Sequence, residues 1–286
     1  MKRILIIFSI VLFTFSCTDT LDVDLEEGTV RLVVEGRLEL FKDGSGSGYQ
    51  SIRLTTTAPY FQNEQVPAAT GASVLVRDLG TQQIYQFTES NTEPGIYETQ
   101  GLVPIVGNEY QLEIEYEGNT YQATDRMLPV ADIDRLAQFF KEETIFTDEG
   151  IGLELDYEDP TDEVNYYHWQ TFRNDTLLVK ADVGNQFNLV SSDEFYNGLQ
   201  VQGFELANDF TFQVGDVALV RQYALSEAAY DYYRNFYEQA VGISPGFGDV
   251  VPATLRGNVR NLTDDSLYPL GFFEASEVAQ MGITIQ

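Results

Sequence analysis

The chain alternates apolar and polar positions over many short runs. In Tyr110-Gln111-Leu112-Glu113-Ile114-Glu115-Tyr116 the alternation is strict, which puts Tyr110, Leu112, Ile114 and Tyr116 on one face of a strand. Arg31 to Leu40 ends in the same pattern, and strand-like runs follow at 51–57, 72–78, 82–88 and 120–124. Turn-forming residues separate them: Lys42 to Gly48, Leu79-Gly80, Glu93-Pro94-Gly95 and Glu117-Gly118-Asn119. Short strands repeating roughly every ten residues predict a β-sandwich over 29–128, its last two strands a hairpin closed at Gly118-Asn119. Pro129 cannot donate to a ladder, so a boundary is expected at 128/129. Strand-like runs resume at 152–157, 165–173, 176–181 and 217–223. Polar stretches between them, 191–197 among them, read as loops or short helices.

One segment, 226–241, changes to the helical period. Ser226 is placed to cap it, Glu227 suits the positive end of the helix dipole, and Leu225 and Tyr230 occupy staple positions. Ala229, Tyr233, Phe236 and Ala240 follow the spacing of a core-facing stripe, and Gly242 is the expected stop. The five aromatic residues between 230 and 237 are expected to pack rather than form a ligand platform.

The start of the chain differs from everything after it. Lys2 and Arg3 precede an apolar run from Ile4 to Phe15, then Ser16 and Cys17. The run is too short to span a bilayer, which takes about 20 residues, and its layout is that of a secretory signal, residues 1–16. A small residue before the chain's single cysteine points to a lipoprotein signal. Cleavage before Cys17 would leave its thiol to receive diacylglycerol and its amine an acyl chain such as palmitate. Thr14 departs from the usual Leu or Val three positions before the cysteine. Residues 17–28 then form an acidic, solvated tether, with five acidic and no basic side chains in Thr18 to Gly28.

Composition narrows the chemistry. With 45 Asp and Glu against 16 Lys and Arg, the formal charge is -29, which repels nucleic acid. One Cys cannot form an intrachain disulfide, and one Cys with one His cannot build a thiolate–imidazole zinc cage. His168 is the only histidine any catalytic triad could use; no Gly-x-Ser-x-Gly elbow accompanies it, and ordinary packing or a surface position is the expectation. On a strand, Tyr166, His168 and Gln170 share one face, and Tyr167, Trp169 and Thr171 the other. Carboxylates cluster around Pro160, so Asp156, Glu158, Asp159 and Asp162 are the candidate ligands for calcium, with Asp43 to Gly46 a second acidic loop; neither has the EF-hand spacing. No catalytic residue, resident cofactor or enzymatic activity is expected.

The ordered segments carry a resemblance. Cys17 with its acidic tether comes first, then Leu32-Val33-Val34-Glu35-Gly36 and Thr70-Gly71-Ala72-Ser73-Val74-Leu75-Val76-Arg77-Asp78. Gly95-Ile96-Tyr97, Gly107 to Leu112, Pro252 to Val259 and Leu270 to Ser276 follow. Together they resemble the Bacteroidota family known as domain of unknown function 4249, over nearly all of the chain after Cys17. Residues 70–121 also look like the Ig-like or transthyretin-like modules of carboxypeptidase regulatory domains.

The resemblance implies a mainly β protein, an Ig-like or transthyretin-like sandwich over 29–128 with a β-rich α+β domain over 129–286. It also implies an outer-membrane lipoprotein encoded beside TonB-dependent receptors, and so an accessory or ligand-capture role with such a receptor, on either face of the membrane. The alternative expectation is a stand-alone surface glycan or peptide binder that presents Tyr166, Trp169 or Tyr196 as an exposed aromatic platform.

Overall fold

A computed structural model describes residues 28–46, 48–58, 66–143, 149–161, 163–179, 189–206, 210–241 and 254–286. Residues 1–27, on which the expected signal and tether fall with Cys17, lie outside the described residues, as do Asp162 and Gly242.

The chain is mainly β. The first strands are β1 (Leu32–Phe41), β2 (Tyr49–Thr56), β3 (Ser73–Asp78), β4 (Ile84–Glu89), β5 (Ile96–Gln100), β6 (Glu109–Tyr116) and β7 (Asn119–Arg126). Alternation buries Val74 and Val76 of β3 and Tyr110, Leu112 and Ile114 of β6 in one core, facing Val34, Leu38, Ile52 and Leu54 of β1 and β2. β4 makes the corner between layers: Ile84 to Phe87 pair with β3, and Thr88 and Glu89 pair with β5. The hairpin between β6 and β7 forms as expected, but Glu117 and Gly118 carry its positive φ values and Asn119 already pairs with Tyr116.

The remaining strands are β8 (Arg135–Lys141), β9 (Gly150–Glu158), β10 (Tyr166–Arg173), β11 (Thr176–Leu178), β12 (Val190–Ser192), β13 (Gln200–Leu206), β14 (Val217–Leu225), β15 (Arg260–Asn261) and β16 (Leu270–Thr284). Helix α1 spans Glu227–Val241, and a short 3-10 turn spans Asp265–Leu267. β13, β9 and β8 form a three-stranded sheet. The others form one large sheet running β11-β10-β14-β16-β1-β2-β5-β4-β3-β6-β7-β15, with β12 beside β10.

β16 joins the two halves of the chain. It lies parallel to β1, from Val33↔Leu270 to Phe41↔Val278, and antiparallel to β14 on its other side. Phe273 and Ala275 pack into the sandwich core. Ala279 belongs to a second core beneath the three-stranded sheet, and Phe272 to a third beneath α1. Met127 lies in the first core and Val130 in the second, and Val259, Phe273 and Ala275 return to the first.

The join is built from backbone approaching backbone. Gly271 has φ +86°, and a Cβ there would overlap the Val34 carbonyl; a Cβ on Gly257 would overlap the Gly271 carbonyl. Asn258 locks the crossing. Its amide donates to the carbonyls of Thr124 and Phe273, and its Oδ1 accepts from the Phe273 N–H at 2.9 Å.

α1 begins as expected, with Ala229 N–H donating to Ser226 Oγ. Its buried stripe differs. Ala229 and Tyr237 are buried with Tyr233 partly so, while Phe236 and Ala240 face out. Aromatic residues at both 236 and 237 leave the helical phase undetermined by sequence, and tertiary packing selects Tyr237.

Gly271→Ala is expected to cost about 3 kcal/mol or more, because backbone overlap adds to left-handed strain. Gly44→Ala, at φ +77° with open space around it, is expected to cost about 1–2 kcal/mol. Urea titration of the two variants checks this; equal losses would count against the crossing as a structural keystone.

Candidate functional site

β10 carries Tyr166, His168 and Trp169, and its period of two divides them between unlike environments. Tyr167 and Trp169 face the three-stranded sheet. Trp169 is 1% exposed; its Nε1 donates to Gln222 Oε1 at 2.9 Å, and its ring lies 4.5 Å from Phe204 and 5.6 Å from Tyr167. Gln222 in turn donates to the Ala131 carbonyl. Tyr196 is half-buried on this side, its hydroxyl bonded to those of Tyr157 and Ser191. Tyr166 is on the opposite face, stacked on Tyr230 of α1 at 4.9 Å. The expected platform of Tyr166, Trp169 and Tyr196 is therefore not assembled: strand alternation splits it, and the small sheet covers the indole.

The acidic candidates also separate. Asp156 takes two hydrogen bonds from Arg135, at 2.5 and 2.9 Å, and one from the Gly203 N–H; Arg135 first and that backbone bond next hold its pKa below the usual carboxylate range. Glu158 is exposed at the end of β9. Asp159 is buried and accepts from Tyr167 Oη at 2.6 Å and the Gly198 N–H at 2.9 Å. Asp43 accepts from the Ser45 N–H of its own turn and from Gln280. Among the described residues no group of three or more His, Cys, Asp or Glu side chains is arranged to hold a metal ion. Asp159 instead meets Asp193, whose carboxyl is buried and pushed upward, first by desolvation, with the neighbouring Asp159 also raising it.

The other face of β10 holds a sealed polar layer under α1. His168 is 1% exposed, with Nε2 3.0 Å from Tyr237 Oη and its ring 4.8 Å from that of Tyr233. Burial, then the nearby Arg37 charge, hold its pKa well below 6.5, so the imidazole is neutral. Arg37 pairs through Nε with the buried Glu274, donates from Nη2 to Tyr233 Oη at 3.2 Å, and lies over the Tyr223 ring at 4.3 Å. Tyr223 Oη donates to Gln170. Two atoms of this layer, His168 Nδ1 and Glu274 Oε2, have no hydrogen-bond partner. The arrangement orients groups instead of exposing them: a neutral imidazole and a neutralised guanidinium, both wrapped by tyrosines, set the seat of the helix.

A third buried acid lies at the sandwich seam. Asp125 accepts from the Ala275 N–H at 3.0 Å, and desolvation by burial pushes its pKa up to about 6. Arg37, Glu274, Asp193 and Asp125 all escape sequence reasoning. Each is paired across more than thirty positions of chain, and local alternation places Arg37 on an outward face that α1 then covers.

The shifts make opposite predictions. Asp125 is raised from 3.8 to about 6, so its contribution to stability is present below pH 3.8 and is lost as pH rises through 6. His168 is lowered from 6.5, so its contribution is present above pH 6.5 and is lost as pH falls. Relative to the unsubstituted chain, Asp125→Asn should therefore lose about 3 kcal/mol of ground between pH 7 and pH 4, while His168→Gln should gain ground over the same interval. Denaturant midpoints at the two pH values test both signs.

A family model described as "Domain of unknown function (DUF4249)" matches residues 18–281. No curated protein matches the chain.

Proposed function

The chain belongs to the Domain of unknown function (DUF4249) family, and from that premise we propose that it is an outer-membrane lipoprotein, a non-enzymatic accessory or ligand-capture subunit of a TonB-dependent transport system. The observation that carries this reading is the order of its parts: a basic-apolar leader, the single Cys17, an acidic stretch, and then a β body whose first strand begins at Leu32. In this reading attachment is through lipid on Cys17, and two or more acyl chains hold a protein at a membrane where one does so only marginally. No helix among the described residues is long and apolar enough to cross a membrane.

The site geometry favours a binding or accessory body over chemistry. Asp156, Asp159, His168 and Arg37 are each engaged within the fold. The alternative of a stand-alone glycan or peptide binder draws less support, because the indole of Trp169 is sealed in the core.

Affinity purification from membranes in mild detergent is expected to recover a TonB-dependent receptor, and deletion of this chain to reduce uptake while receptor abundance stays constant. Recovery without any transporter would overturn the accessory role. Cys17→Ala is expected to move the chain from the membrane to the soluble fraction.

A further inference from the structure

Two arginines far apart in sequence meet on one tyrosine. The Arg31 guanidinium carbon lies 3.5 Å from the centre of the Tyr268 ring, and that of Arg256 lies 3.7 Å from the same point. Two planar groups that close to one centroid cannot share a face, so the ring is sandwiched between them. Arg31 is fixed there: its Nη1 donates to the carbonyls of Ser266 and Tyr268 at 3.0 and 3.1 Å, and its backbone N–H donates to Thr57 Oγ1. Arg256 is held by its contact with the ring.

Among the described residues neither cation has a carboxylate partner. The ion pairs of the described residues involve Arg37, Lys42, Arg53, Arg135 and Arg234, and not Arg31 or Arg256. The carboxylate of Asp264 in the same loop is turned onto Ser266 N–H and Oγ. In a chain with 45 acidic against 16 basic residues, the ring holds two like charges together where abundant carboxylates would otherwise take them. Arg256 is exposed, while Arg31 and Tyr268 are half-buried, so the rim of the sandwich is open to solvent.

We infer that Arg31, Tyr268 and Arg256 form a binding site for a phosphate group. Stacked guanidinium planes direct their N–H edges outward, and a forked guanidinium matches phosphate geometry. A phosphate oxygen in the plane of one guanidinium accepts a charge-assisted bond of about 2.8 Å from its edge, while the second cation, about 7 Å away across the ring, adds charge attraction without a direct bond. A lipid headgroup and a free ion both supply this chemistry, and the probes below distinguish them. Arg31 immediately precedes β1, where the body meets the segment leading back to Cys17. Only the lipid source rests on the proposed anchoring; the site itself does not.

Isothermal titration calorimetry of the full chain tests the site with three probes: inorganic phosphate, monomeric dihexanoyl phosphatidic acid, and dihexanoyl phosphatidylcholine as the zwitterionic reference. Saturable binding of either anionic probe, weakened about tenfold by Arg256→Gln, is expected from the loss of charge-assisted bonds. Phosphatidic acid binding at least tenfold tighter than inorganic phosphate and phosphatidylcholine assigns the site to a headgroup; equal affinity for phosphatidic acid and inorganic phosphate assigns it to the free ion. Arg256→Lys keeps the charge without the fork and is expected to fall between the two, which keeps the test open should the glutamine variant not fold. No saturable heat from either anionic probe at 10 mM, or affinity unchanged in both variants, overturns the site. Because the probes are monomeric, this outcome is independent of whether Cys17 carries lipid or a transporter co-purifies.

Discussion

The placement of β16 between β1 and β14 is the constraint on which the other contacts depend. A strand in that position is a wall of three cores at once, and its neighbours lie at opposite ends of the chain. Its entry requires backbone to cross backbone at Val34, Gly271 and Gly257, an approach that any side chain would block. Three hydrogen bonds from Asn258 hold the crossing, each worth about 0.5–1.5 kcal/mol. The segments around Gly257 and Gly271 were singled out in the sequence as marks of a family resemblance. Their physical content is this crossing.

Around β16 the interior holds several buried polar and charged groups. Arg37 with Glu274, His168 with Tyr237, Asp159 with Asp193, and Asp125 with the Ala275 N–H all lie at junctions between elements. Such groups are costly to bury, and removing one partner strands the other. They therefore specify geometry: α1 has one seat, above Arg37 and His168, and the sandwich meets β16 at one register. The tyrosines supply apolar area with a hydroxyl that can answer a buried polar atom, which is consistent with the 17 tyrosines in the chain.

The same logic connects the interior to the proposed roles. Polar groups deep in the body are engaged in holding it together, whereas Arg31 and Arg256 are held on a ring at the surface with no carboxylate partner among the described residues. A strongly acidic body gains little from attraction to anionic lipid, so in the proposed reading its acyl chains hold it at the membrane. A local phosphate contact next to the start of β1 would then orient it. Two kinds of force act there at different ranges: surface repulsion is screened beyond roughly 8 Å at physiological salt, while a stacked guanidinium acts at hydrogen-bond distance.

The sequence by itself determined the mainly β class, the strands β1 to β4, β6 and β7 apart from their ends, the position and cap of α1, and the two faces of β10. These follow from local periodicity and turn chemistry, which act over a few residues. It did not reveal β8, β12, β13, β15 or β16 as strands. β16 is buried on both sides from Gly271 to Ser276, so alternation is absent there, and Gly, Ala, Ser and Glu give it little strand propensity. Nor could it show that Trp169 is covered, that Tyr237 rather than Phe236 faces inward, or that Asp159 meets Asp193 and Arg31 meets Arg256. Those are contacts between segments distant in the chain. Only the tertiary structure decides them, because which face is covered depends on what packs against it.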